Sequence, residues 1–332
     1  MGDTNGTKLS YHIIASSKED ALLLNVLGIY RVFISFTGST GNALVILAVL
    51  TTRKLRTPAN IFVLSLAFAD TCITSLVEPV YAYATLIDRE LYSKSPGLCT
   101  AIGSMCFISC TCSLWNIGAI AINRYVFICK QQYYKTIFTW RKTIAYAVTI
   151  WIICILADFS NFFGWGGHSF DPKFVGCSYD RLASFSHVLF TVIVFVSMPM
   201  VLIVVCYAAI FWTLRQSSLR VRQAASSSEK KRPERDIKLL KMLFTIFVTF
   251  AFCWTLYTLL LVIDYDDNIP DHAYRLAAVL SHTNSSLNSI IYGVMNKNFR
   301  DAYRKILSCG KWKPYQIEAE LSMNTKNTNI ER

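Results

Sequence analysis

The 332-residue chain has little charge: Asp, Glu, Lys and Arg make up 16%, against 53% hydrophobic residues. A soluble protein of that balance would expose broad apolar patches, so the two soluble domains that the length permits are excluded. Soluble-enzyme signatures are missing as well. There is no phosphate-cradling glycine loop, no HExxH and no nucleophile elbow. The closest approach to a CxxC pair, Cys110-Thr111-Cys112, has the wrong spacing for a zinc or redox site. The five histidines are scattered singly. No fixed-period repeat occurs. Met1–Asp20 has no apolar signal-peptide core, so the first apolar run, near Ala21, must serve as the targeting signal. A net charge of +12 could mean nucleic acid, but the basic residues do not line one polar face, and no nucleic-acid partner is expected.

What is present is a series of long apolar runs separated by short basic stretches. Seven runs reach the ~20 residues that a helix needs to cross ~30 Å of hydrocarbon. They lie at 22–51, 59–85, 98–129, 143–164, 185–213, 238–263 and 273–294. Backbone polar groups in lipid must be satisfied internally, and the runs lack the alternation of barrel strands, so they are helices. The fold expected is an all-α membrane protein, a seven-transmembrane helix bundle with a short amphipathic eighth helix. The chain divides into an extracellular N-terminus (1–21), the transmembrane domain (22–294) and a cytoplasmic stretch with a disordered tail (295–332). Charge sets the orientation. With the N-terminus outside, inner segments hold 24 of the 33 Lys and Arg, outer segments six, and Arg31, Arg124 and Arg275 sit in helices or at their ends. That bias places the N-terminus outside a plasma-membrane protein. Asn5-Gly6-Thr7 is then an outward glycosylation sequon. Of eleven cysteines only Cys99 and Cys177 fall outside, which permits one disulfide. Cys309, after the short amphipathic stretch, stands in a palmitoylation context.

Polar groups inside apolar helices are costly and point to function. Asp70 is near mid-membrane in helix 2, with Ser113, Asn284, Ser285, Ser286 and Asn288 available to face it. Such an oxygen-rich cluster suits Na⁺, although a hydrogen-bonded structural aspartate is the plainer reading. Arg31 and Glu78 lie in the outer halves of their helices and either pair or reach for the headgroups. Arg124 follows Cys99 by 25 residues, roughly 37 Å along a helix, so it marks the inner end. Asp236, entering helix 6, is a candidate ion-pair partner for it. Pro79 and Pro199 should kink helices 2 and 5. Trp254 is deep in helix 6, where a buried tryptophan is ordinarily core.

Together these features resemble the rhodopsin-like G-protein-coupled receptors, from Gly41-Asn42 in helix 1 to the stub after helix 7. The matching positions are Leu66 to Asp70, Asn123-Arg124-Tyr125, Trp151, Pro199 and Tyr207, Phe250 and Cys253-Trp254, Asn288 to Tyr292, and Asn298-Phe299-Arg300. Within that class the helix 3 run Ala119–Tyr125 is similar to melatonin receptors, whereas Phe163-Gly164-Trp165 and Cys177-Ser178-Tyr179-Asp180 are more similar to opsins. The resemblance implies a receptor that converts binding of a diffusible ligand into activation of a heterotrimeric G protein, and no enzyme. The ligand pocket would comprise Cys106, Cys110, Asn161, Tyr179, Arg181, Trp254 and His282. Arg181 would make its mouth basic. The switch residues would be Asn123, Arg124, Tyr125, Tyr207, Asp236, Phe250 and Tyr292, and Asp70 with Ser113, Asn284 and Asn288 would hold sodium. Departures are informative. Asn123 replaces an acid, Leu256 and Ser289 replace prolines, and Cys106 stands where amine receptors carry Asp. His282 occupies the position of the retinal-binding lysine of opsins, so no covalent retinal and no other cofactor is expected. A transporter or ion pump, and a receptor-like protein that does not signal, are the alternatives.

Overall fold

A computed structural model describes the backbone of residues 18–223 and 231–308, and the side chains of 19–216 and 241–308. Asn5, Cys309 and the side chain of Asp236 lie outside the described residues. Eight helices dominate: α1 (Lys18–Thr51), α2 (Ala59–Leu86), α3 (Pro96–Cys129), α4 (Trp140–Phe159), α5 (Phe185–Gln216), α6 (Lys231–Ile263), α7 (Asp271–Met295) and α8 (Lys297–Leu307). Their outward faces are apolar without being packed. Phe36, Phe252 and Phe211 are 72%, 70% and 67% exposed, which is tolerable only where lipid replaces water.

Six of these helices, α1 to α6, are long and apolar enough to cross a membrane. The seventh, α7, has 25 residues but is more polar. It spans by packing, because His282, Asn284, Ser285, Ser286, Asn288 and Ser289 are all buried against the other helices. The two prolines act as expected in place, though not as simple bends. Wide π turns at Ile73–Val77 and Thr191–Ser197 precede Pro79 and Pro199 and absorb the missing donor over a whole turn. In α6, where Leu256 stands, the helix runs on from Lys231 to Ile263. Side-chain caps mark where helices begin. Thr139 accepts from the Lys142 amide before α4, and Asn296 from the Asn298 amide before α8. α8 buries Phe299 and Ala302 and exposes its basic face, so it lies along the end of the bundle where α7 stops.

The connection between α4 and α5 contains a feature absent from the all-helical expectation, an antiparallel hairpin of β1 (His168–Asp171) and β2 (Gly176–Tyr179). The Cys99–Cys177 disulfide ties β2 to the top of α3, with Cα atoms 5.2 Å apart. Tyr81 of α2 donates to the Cys177 carbonyl. His168 on β1 bonds Ser104 at 3.0 Å and the carboxylate of Asp158, a buried acid of α4, at 3.1 Å. Lys173, in the hairpin turn, reaches Asp264, Asp267 and the Ile269 carbonyl beyond α6. The hairpin is therefore clamped to α2, α3, α4 and the α6–α7 connection.

Candidate functional site: a cavity above a polar axis

Helical spacing places the polar residues in stripes. Asp70, Thr74, Glu78 and Tyr81 follow one another at steps of three or four on α2. Cys106, Cys110 and Ser113 do the same on α3, as do Ser281 or His282, Ser285, Asn288 or Ser289, and Tyr292 on α7. Residues so spaced share a helix face, and the three faces meet in the bundle interior.

Near the level of the disulfide these stripes border a cavity. Aromatic side chains form a large part of its wall: Phe107, Tyr179, Phe195 and Tyr257 border it together with Trp254, Phe250 and Phe174 of the hairpin turn. The Trp254 and Phe250 rings stack at 5.6 Å. Such a chamber, apolar with a few convergent polar groups, is the usual form of a small-molecule site. Cys106, Cys110, Tyr179, Trp254 and His282 of the sequence-derived set line it.

Asn161 and Arg181 do not line this cavity. The Asn161 amide donates to Asp158 at 3.3 Å, behind the hairpin. Arg181 borders a separate recess with Asp264 and Tyr265. It pairs with Asp171 and Asp267 at 2.6 Å each, over the ring of Tyr274. Burial disfavours its charge, but the two acids outweigh that and hold the guanidinium more firmly protonated than usual. The basic mouth expected from Arg181 is thus neutralised by neighbours that the sequence did not connect to it. Residues missing from the sequence-derived set include Phe107, Phe195, Tyr257 and Ser281. Tyr257, three positions after Trp254 on α6, was accessible from helical spacing, whereas Phe195 sits in the wide turn of α5 and was not.

Behind the His282 side of the cavity runs a buried chain of polar contacts. Arg31 of α1 donates to Glu78 at 3.0 Å, and Glu78 also bonds Nδ1 of His282. The other imidazole nitrogen, Nε2, is 3.5 Å from the Cys106 sulfur. Tyr81 stacks on the imidazole, and Arg31 lies over the Tyr81 ring at 5.0 Å. Arg31 and Glu78 are 2% and 0% exposed, so of the two readings left open by the sequence, pairing is the one found.

Below Trp254, Asp70 accepts from Ser113 at 3.1 Å and from Asn288 at 2.8 Å. The amide oxygens of Asn116, Asn284 and Asn288 are buried without a protein partner. A carboxylate beside the orphaned amide oxygen of Asn288 is a fitting start for a hard-cation or water site; Asn284 makes no direct bond to Asp70 among the described contacts. At the inner end Tyr125, Tyr207, Phe250 and Tyr292 join one apolar cluster. Arg124 is half-buried there. Asn123, in place of the usual acid, is held instead by the hydroxyl of Tyr134 at 3.5 Å.

Comparison with known proteins agrees with this architecture. The sequence pattern of the 7 transmembrane receptor (rhodopsin family) matches residues 41–292. Melatonin receptor type 1B-B of Danio rerio is 33% identical over 96% of this chain and 92% of its own length. Human melatonin receptor type 1B is 32% identical over 82% of this chain and 75% of its own. The crystal structure of squid rhodopsin superposes with a TM-score of 0.78 at 21% identity, covering 90% of this chain and 91% of the other, which speaks for the fold. The chain is a multi-pass membrane protein and no enzyme, and it belongs to the rhodopsin family of seven-transmembrane, G-protein-coupled receptors.

Proposed function

We propose that this receptor binds a small, flat, uncharged aromatic ligand of the melatonin type in the cavity and relays binding to a heterotrimeric G protein at the opposite end. The observation that carries the reading is the position of the cavity directly on the Trp254–Phe250 stack. A ligand that shifts this stack biases the helix, α6, whose inner half meets the cluster of Tyr207 and Tyr292. Aromatic walls favour stacking on a planar ring system. Glu78 is already paired with Arg31 and His282, and no carboxylate is among the described residues lining the cavity to meet a cationic amine. The relatives' names point the same way. In this reading the N-terminus is outside the plasma membrane, Arg124 contacts the G protein, and Asp236 restrains it in the resting state. Asp70, Ser113 and Asn288 would hold Na⁺, whose charge stabilises the resting arrangement.

The test is nucleotide exchange on purified G proteins by the reconstituted receptor, screened against indoles and retinoids with and without Na⁺. A ligand-dependent rise is expected, lost in Arg124→Ala, with Na⁺ lowering agonist affinity in wild type and not in Asp70→Asn. No response to any ligand, and no basal exchange above protein-free membranes, would support the non-signalling alternative.

Retinal, if it binds, should bind without a covalent bond. No lysine is among the residues lining the cavity, and His282 cannot form a Schiff base. Receptor incubated with all-trans or 11-cis retinal is expected to show no visible protonated Schiff-base band. A chromophore that survives denaturation would refute this and make the protein a photoreceptor.

A further inference from the structure

We propose that Cys106, Cys110 and His282 bind one thiophilic divalent metal ion, zinc by preference, with its fourth coordination position open to the cavity. The two sulfurs and one imidazole nitrogen lie within 4.8 Å of one another. Cys106 and Cys110 are one helical turn apart on α3, so both thiols emerge from the same face. His282 meets them from α7. The gap from Cys106 Sγ to His282 Nε2 is 3.5 Å. With Zn–S of about 2.3 Å and Zn–N of about 2.0–2.1 Å, two neighbouring vertices of a tetrahedral site fall roughly 3.5 Å apart. That pair already stands at the required spacing, and the other two separations, within 4.8 Å, have to close by no more than about 1.3 Å to admit the ion.

A second, independent feature lies behind the histidine. Glu78 bonds Nδ1, which turns Nε2 and its lone pair toward the sulfurs, and Arg31 in turn holds Glu78. A carboxylate on the far nitrogen of a ligating histidine fixes tautomer and ring direction in metal sites and makes the ring a stronger donor. A thiol–imidazole hydrogen bond between Cys106 and His282 alone would explain neither the convergence of Cys110 nor a three-member alignment continued to Arg31.

Charge balance favours the same occupant. Two thiolates neutralise a divalent ion, and Arg31 neutralises Glu78, so the buried assembly carries no net charge. That matters in a low-dielectric interior, where an uncompensated charge is expensive. Binding releases two thiol protons to solvent, so affinity should fall as pH falls. Sulfur and imidazole donors select zinc over magnesium or calcium. Three protein ligands with an open fourth position are the arrangement of a zinc that exchanges its remaining ligand. Because all three residues border the cavity, that position is available to water or to a heteroatom of a bound small molecule.

The experiment uses full-length receptor in lipid nanodiscs, stripped with chelator and titrated with Co²⁺ in the absence of any agonist or G protein. One cobalt per chain is expected, with thiolate-to-cobalt charge-transfer absorption and intense tetrahedral ligand-field bands, both displaced by Zn²⁺. Cys106→Ser and Cys110→Ser should each weaken cobalt binding at least 100-fold and diminish the charge-transfer band. Cys154→Ser, a buried cysteine that packs elsewhere, against Cys112, should leave the spectrum unchanged. The proposal falls if folded wild-type receptor, its outer disulfide intact, gives no tetrahedral cobalt spectrum, or if the spectrum persists in the Cys106→Ser/Cys110→Ser double variant. Neither outcome bears on ligand signalling, so the metal site and the receptor mechanism stand or fall separately.

Discussion

Glu78→Ala should be the most damaging single substitution in the outer half of the bundle, costing about 3–5 kcal/mol of stability. The alanine would leave Arg31 almost fully buried with its carboxylate removed. The Tyr81 ring, 5.0 Å from the guanidinium, offers a cation–π contact worth only about 2 kcal/mol when desolvated. It cannot replace the ion pair. His282 would also lose the partner that orients it. The expected readout is a much lower temperature of half-inactivation in detergent and little receptor at the cell surface. Arg31→Met combined with Glu78→Leu should recover at least half of the loss, because swapping a buried pair for apolar groups of similar size is often close to neutral. Wild-type thermal stability in Glu78→Ala would show that water reaches Arg31 and that the pair is not buried in the membrane.

Cys177→Ser ranks second, with an expected loss of about 2–5 kcal/mol. The bond closes a loop with a sequence separation of 78 residues, and a long loop gains most from closure. The reference state here is a set of membrane-inserted helices rather than a free coil, which places the effect toward the lower part of that range. More than entropy is at stake, because Tyr81 donates to the carbonyl of this same cysteine and Phe174, in the hairpin turn, covers the cavity. Reduction of the intact receptor should therefore loosen the roof before the helices separate. Hydrogen exchange would show this as faster exchange in residues 168–179 with α3 and α7 still protected. Unchanged protection of the hairpin on reduction would mean that Lys173, Arg181 and His168 hold it unaided.

Much of this molecule could be read from its residues, and the reason is solvent. Lipid forces each spanning segment into an apolar helix of fixed minimum length, so the runs and their order are written in hydropathy. The inward stripes were legible for the same reason, since Asp70, Ser113 and Asn288 have no business facing hydrocarbon. Partner choice was harder. Arg31 and Glu78 could be assigned to the outer level but not to each other, because hydropathy does not say how each helix is rotated. Asn161 and Arg181 were placed in the cavity on resemblance alone. The hairpin geometry that sends Arg181 to Asp171 and Asp267 depends on pairing between short strands that carry no strong local signal. Pro79 and Pro199 told where a hydrogen bond is lost, but not that a wide turn would take up the slack. The Cys106–Cys110 spacing was in plain view on α3. What the chain could not reveal was that His282, far away in sequence, meets it.

The polarity of α7 also bears on how the protein is made. A segment that buries His282, Asn284, Asn288 and several serines has little reason to leave a translocation channel for lipid by itself. Its partners offer what lipid does not: Asp70 receives Asn288, Glu78 receives His282, and Asn42 donates to the Ser285 carbonyl at 2.9 Å. Crossing the bilayer is therefore a property α7 acquires from company already in place, chiefly α1 and α2, which are synthesised first. A shortened or rearranged transcript that dropped either of those helices would do more than lose a wall of the bundle. It would also strand the last span at the interface.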